Sequence, residues 1–248
     1  MITTLPKKDF KGYTAVLGSP SVGNVSQLCI DLVISSLKCT HIGMIWHEAI
    51  LPLVGADPYN DLSSKICSSN DIYCSEMNKI LLFQLRAPLQ RNYLLDYLTK
   101  LVEYLNNVGI EHLIILSGLF AHQRDDSELL GGSFRYVTCP RANAKFGSTL
   151  TSFGWIRMKD NNEENKFSCP KMPGSGLTRM LFNMCIQANI SCTGLLLFCS
   201  EGDNSHDALQ LLKNLNTLLP LIPDDLSTIV YPPSWKYLFG NSLPRNIY

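Results

Sequence analysis

Arg91-Asn92-Tyr93-Leu94-Leu95-Asp96-Tyr97-Leu98-Thr99-Lys100-Leu101-Val102-Glu103-Tyr104-Leu105-Asn106-Asn107-Val108-Gly109, followed after two residues by His112-Leu113-Ile114-Ile115-Leu116-Ser117, decides the fold. Leu94, Leu98, Leu101, Leu105 and Val108 recur three and four residues apart, which predicts one continuous apolar face on a helix over 91–108. Gly109 stands where a left-handed residue would end that helix. The run 112–117 is short and almost unbrokenly apolar, as a strand buried on both faces must be. Upstream, Ile80-Leu81-Leu82-Phe83-Gln84-Leu85 has the same character. Strand, amphipathic helix and strand together form a βαβ unit, for which a right-handed crossover is expected.

Working outward, the alternation continues. Tyr13 to Leu17 reads as a strand that ends in Gly18-Ser19-Pro20. A helix then starts near Asn24, a plausible N-cap, with Val25, Leu28, Cys29, Leu32, Ser36 and Leu37 on one face. His41–Trp46 and Phe134–Thr138 are further strands. The stretch between Trp46 and Ile80 reads as irregular, and the polar run Lys159–Lys166 within 140–170 as a solvated loop. A helix over Leu177–Ala188 is expected to bury Leu177, Met180, Leu181, Met184 and Cys185. Cys192–Cys199 is a central strand, and Asn204–Leu219 the last long helix. Five prolines from Pro220 onward exclude another long helix and predict an irregular tail laid over the body. The pattern predicts an α/β fold: a single three-layer α/β/α domain over 1–248, with a mostly parallel central sheet.

Composition narrows the function. The 248 residues are 46% apolar and 17% charged, enough to bury a substantial core without staples. Twenty-one basic and twenty-one acidic residues cancel, which argues against nucleic acid or an anionic membrane as the main partner. No apolar run approaches the ~18 residues of a membrane span, and residues 1–8 have no signal-peptide pattern. The nine cysteines form no C-x-x-C pair and have no zinc spacing with histidine, so reduced structural thiols are expected, and no metal site.

In open α/β sheets ligands bind at the carboxyl ends of strands. Gly18-Ser19-Pro20-Ser21-Val22-Gly23-Asn24-Val25 has the two glycines of a phosphate loop, but Asn24 and Val25 replace its lysine and hydroxyl residue. It therefore reads as a tight turn, and no cofactor is expected. Ser21 with His122 and Asp203 could make a nucleophile, base and orienting group, yet no serine sits in a G-x-S-x-G elbow. Asp203 or Asn204 is better read as the cap of the helix that follows. Gly174-Ser175-Gly176 is a weak anion-nest signal, and Gln84 to Tyr93 is too sparsely basic to argue for RNA. On these readings, no residue is assigned a catalytic role.

A series of short motifs resembles the proteasome assembly chaperone 2 family. They are Ser21–Val25, Gln27-Leu28, Asp31–Ser35, Pro52–Gly55, Pro58-Tyr59, Gln84–Arg86, His122–Asp126, Phe134–Tyr136, Gly176–Thr178, Ser200–Asn204 with Asp207–Leu209, and Pro233–Trp235 with Leu238–Gly240. The resemblance implies a non-enzymatic chaperone in cytoplasm and nucleus. It would pair with proteasome assembly chaperone 1, promote assembly of the proteasome α-subunit ring and prevent off-pathway ring dimers. It also implies a C-terminal hydrophobic–tyrosine signature that docks on the ring. Here Ile247 and Tyr248 are the partner-binding candidates, although the residue that follows the tyrosine in that signature is missing. The competing reading is a hydrolase or nucleoside-processing enzyme on a similar sheet.

Overall fold

The computed structural model describes residues 2–4, 9–129, 131–158, 169–223 and 227–237. In chain order the elements are β1 (Ile2–Thr4), β2 (Thr14–Gly18), α1 (Val25–Leu37), β3 (Thr40–Ile45), β4 (Val54–Ala56), β5 (Ile66–Ser68), β6 (Asn70–Ser75) and β7 (Ile80–Leu85). There follow α2 (Leu94–Asn107), β8 (His112–Phe120), α3 (Asp126–Leu129), β9 (Phe134–Thr138), α4 (Pro140–Ser152), α5 (Thr178–Gln187), β10 (Cys192–Cys199) and α6 (Ser205–Leu218).

Eight strands form one sheet in the order β1-β3-β6-β7-β2-β8-β10-β9, and β4 and β5 form a separate two-stranded ribbon. The four central strands β7, β2, β8 and β10 are parallel neighbours. β3 shares their direction, while β1, β6 and β9 oppose it. The sheet is mostly parallel, with antiparallel pairing confined to its two flanks.

Strand alternation sorts the core into two halves. Ala15, Leu17, Leu81, Phe83, Leu113 and Ile115 face α2 and α5. Val16, Ile80, Leu82, Ile114, Leu195 and Leu197 face α1 and α6. The α2 stripe buries Leu98, Leu101 and Leu105 completely, and Gly109 ends the helix at φ +74°. The tail packs on the α1 side through Leu221, Ile222, Ile229 and Trp235. It is tied there by Asn216 Oδ1, which accepts from the N–H groups of Leu221 and Ile222, and by Ser36 Oγ, which accepts from Val230 N–H.

Several expectations need correction. The stretch read as irregular holds β4, β5 and β6. Its buried strand β6 was disguised by polar residues whose partners come from elsewhere: Ser68 donates to Asp71, and Asn70 Nδ2 to Tyr97 Oη at 2.9 Å. Within 140–170, α4 is a 13-residue helix with little apolar periodicity. Pro140 occupies its first turn, where no N–H is needed, and Cys139 Sγ accepts from Ala142 N–H. The polar run 159–166 lies outside the described residues. Met180 is 42% exposed, and Phe182 takes the buried place on α5. Asn24 precedes α1 but makes no side-chain cap, because its φ of 51° is left-handed rather than extended.

Candidate functional site

The carboxyl ends of β2, β8 and β10 meet where an α/β enzyme would hold its ligand, and here the chain itself fills that space. The loop after β2 turns through Gly23 at φ +65° and Asn24. Three of its N–H groups are already used: Ser19 N–H donates to Leu116 O, Val22 N–H to Gly174 O and Asn24 N–H to Ser21 O. The segment 173–176 lies across the strand ends. Ser175 O accepts from Ser19 Oγ at 2.9 Å and from Ser117 Oγ at 3.1 Å. A Cβ on Gly176 would stand 1.8 Å from Pro20 O, and one on Gly118 would stand 2.5 Å from Val22 O. Backbone therefore rests on backbone at Gly118 and Gly176, while of the two glycines of the phosphate-like loop Gly23 is crowded by the Asn204 side chain and Gly18 by Ile30 and Ser26 O on α1.

The three residues considered as a triad have separate partners. Ser21 Oγ accepts from Gly118 N–H at 2.9 Å and lies 3.2 Å from Ser26 Oγ. The His122 ring lies against Phe120. Asp203 Oδ1 accepts from Ser205 N–H at 3.0 Å, which holds its carboxyl below the usual range. Asp203 thus bonds the backbone at the start of α6, while Asn204, at the N-cap position, donates its Nδ2 to Asp207 Oδ2 in the first turn. Two of the other histidines have partners of their own. His47 Nδ1 accepts from Ala49 N–H and Nε2 contacts Asp96, so both nitrogens are engaged. His112 Nδ1 pairs with Ser191 Oγ, and burial, followed by Lys145, lowers its pKa to about 4. Among the described residues, no cluster of three His, Cys, Asp or Glu side chains could hold a metal ion.

A second centre, which sequence reasoning did not assemble, unites motifs scattered from Asp31 to Arg86. Asp31 on α1 is buried, and its Oδ1 accepts from Tyr59 Oη at 2.6 Å, Gln84 Nε2 at 2.7 Å and Arg86 Nη2 at 2.7 Å. Arg86 Nη2 also donates to Tyr59 Oη at 2.8 Å. Burial, followed by the Asp31 charge, pushes the Tyr59 hydroxyl well up, so it stays protonated and donates. Burial opposes the Arg86 charge, but Asp31 and Tyr59 outweigh it and hold the guanidinium above its usual value. With three donors on Asp31 Oδ1, the arrangement is a clamp joining α1, β7 and the loop at Tyr59. Gln84 and Arg86 belong to this clamp.

Beside the clamp runs a groove of about 360 Å³ whose walls include Val54, Gly55, Ala56, Pro58 and Trp235. Ser234 N–H donates to Pro58 O, bringing the tail motif to this wall. The ribbon beside it is apolar and open: Leu53 is 56% exposed, Val54 75% and Ile66 70%. Each reads in sequence as an ordinary apolar residue; only the tertiary arrangement leaves it uncovered. Ile247 and Tyr248 lie outside the described residues.

Residues 15–225 match the PAC2 family. Proteasome assembly chaperone 2 of Xenopus tropicalis is 32% identical over 258 residues, covering 98% of this chain and 97% of that protein. Proteasome assembly chaperone 2 of Homo sapiens is 31% identical over 255 residues, covering 97% and 96%. Among solved structures, Pyrococcus furiosus PbaA, an archaeal homolog of proteasome-assembly chaperone, superposes with a TM-score of 0.67 at 18% identity, over 90% of this chain and 88% of that one. P. furiosus PbaB, an archaeal proteasome activator, gives 0.67 at 12% identity, over 92% of both chains. With the family match spanning most of the chain and relatives above 30% identity aligning almost end to end, this chain belongs to the PAC2 family of proteasome assembly chaperones.

Proposed function

We propose that the chain works, without catalysing a reaction, as a heterodimer with proteasome assembly chaperone 1. The pair promotes assembly of the proteasome α-subunit ring and prevents off-pathway ring dimers, in cytoplasm and nucleus. The observation that carries this reading is the uncovered apolar surface of the β4–β5 ribbon at Leu53, Val54 and Ile66, of the kind that marks protein–protein contact. The filled crevice at the strand ends weighs against the hydrolase or nucleoside-processing alternative. All of 1–248 serves as one unit, and Ile247 and Tyr248 engage the α ring.

Co-expression with chaperone 1, followed by affinity purification, should return both chains with proteasome α subunits. Saturable hydrolysis of an ester or nucleoside, abolished by Ser21→Ala, would reverse the reading. Deleting Ile247 and Tyr248 should weaken ring binding and leave the heterodimer intact. Because the partner's own tail could mask a single loss through avidity, the deletion is compared with and without that tail. Unchanged ring affinity in both backgrounds removes these residues from the contact.

A further inference from the structure

The β4–β5 ribbon has one edge open, and the pairing fixes which groups it presents. Val54 pairs with Ser68, Gly55 with Cys67 and Ala56 with Ile66. Ser69 N–H donates to Leu53 O, so the hydrogen-bonded pairs of this antiparallel ladder fall at Leu53 and Gly55. Alternation then directs the N–H and C=O groups of Val54 and Ala56 away from β5, and no partner for them occurs among the described residues. Two donors and two acceptors spaced two residues apart match one extended chain and no compact ligand.

The surroundings narrow the occupant. Asp31 and Arg86, the charged residues of the groove wall, satisfy each other. Trp235, whose indole N–H has no acceptor among the described residues, forms part of the groove wall. Leu53, Val54 and Ile66 flank the edge at 56%, 75% and 70% exposure and favour uncharged, apolar side chains. At the opposite flank of the main sheet, Tyr136 of β9 already bonds Ile156 O and Met158 N–H, so that edge is occupied.

We infer that the free edge of β4, at Val54 and Ala56, accepts an extended uncharged strand of the partner chaperone, which adds a third strand to the ribbon. This rests on the heterodimer reading above and names the surface through which it acts.

The test uses the full chain with purified chaperone 1. Ala56→Pro removes one outward N–H without touching the bonds to β5, and Ala56→Ser retains it. Ala56→Pro should weaken chaperone 1 binding by at least ~10-fold, with Ala56→Ser near wild type. Unchanged thermal denaturation shows that Ala56→Pro still folds. Independently, hydrogen exchange in the wild-type peptide spanning 53–57 should slow when chaperone 1 is added. Wild-type binding matched by Ala56→Pro, with no added protection of 53–57, overturns the edge assignment and leaves the heterodimer standing. No chaperone 1 binding by wild type overturns both. A concentration-dependent homodimer that Ala56→Pro abolishes would assign the edge to a second copy and overturn the inference.

Discussion

Gly176→Ala tests whether the crevice at the strand ends is closed by backbone packing. Gly176 sits at φ +61°, and an added Cβ would lie 1.8 Å from Pro20 O, 2.9 Å from Pro20 C and 3.0 Å from Ser19 Oγ. The left-handed conformation alone costs alanine about 1–2 kcal/mol. Relieving the contact needs two backbones to part by more than about an ångström. That movement would strain Ser19 Oγ to Ser175 O, Ser117 Oγ to Ser175 O and Val22 N–H to Gly174 O. At about 1 kcal/mol for each bond lost, the total is roughly 3–5 kcal/mol. Such a loss is a large part of an ordinary folding stability and lowers Tm by roughly 10 °C in a chain of this size. Gly12→Ala is the control: its φ is +78°, and nothing lies within 4 Å of an added Cβ, so only the conformational penalty of about 1–2 kcal/mol applies. Urea denaturation followed by tryptophan fluorescence measures both variants, with equal m-values required for the comparison. If Gly176→Ala loses no more stability than Gly12→Ala, the crevice is not closed by this contact and the case against a ligand there collapses.

Arg86→Met leaves the Asp31 side chain, 6% exposed, without its cation, and should destabilise by about 2–3 kcal/mol. That is less than for a fully buried pair because the Arg86 side chain is itself 28% exposed; a loss under about 1 kcal/mol in the same denaturation assay would remove the clamp from the stability argument. His112 is held neutral, its pKa lowered from 6.5 to about 4, so the unfolded chain binds the extra proton first as pH falls. Its contribution is complete above pH ~6.5 and is lost as pH falls towards ~4, about 3 kcal/mol in all. Subtracting the His112→Gln profile from wild type should reveal that acid limb, and parallel profiles would refute it. Ser21→Ala strands Gly118 N–H and should lower stability by about 1–2 kcal/mol, a calorimetric loss that a purely catalytic serine would not give.

The chain's own pattern determined the central architecture. The leucine stripe of α2, Gly109 at its end and the apolar runs of β7, β8 and β10 are local signals, because a helix face and a doubly buried strand each impose a periodicity on sequence. The phosphate-like loop was also legible as lacking its chemistry, since a missing lysine is visible in one dimension. The family motifs stood in order along the chain, but their grouping did not. Asp31, Tyr59, Gln84 and Arg86 meet only because α1 lies over β7 while a loop folds back across both. β6 escaped notice because its buried polar residues find partners outside the strand, Asp71 at Ser68 and Asn70 at Tyr97, and α4 because a helix at the margin of a sheet needs few apolar positions. The open edge of β4 was likewise invisible. Which backbone groups stay unpaired depends on strand register, and which apolar side chains stay uncovered depends on what packs beside them. Both are properties of the assembled chain, fixed only when distant segments come together.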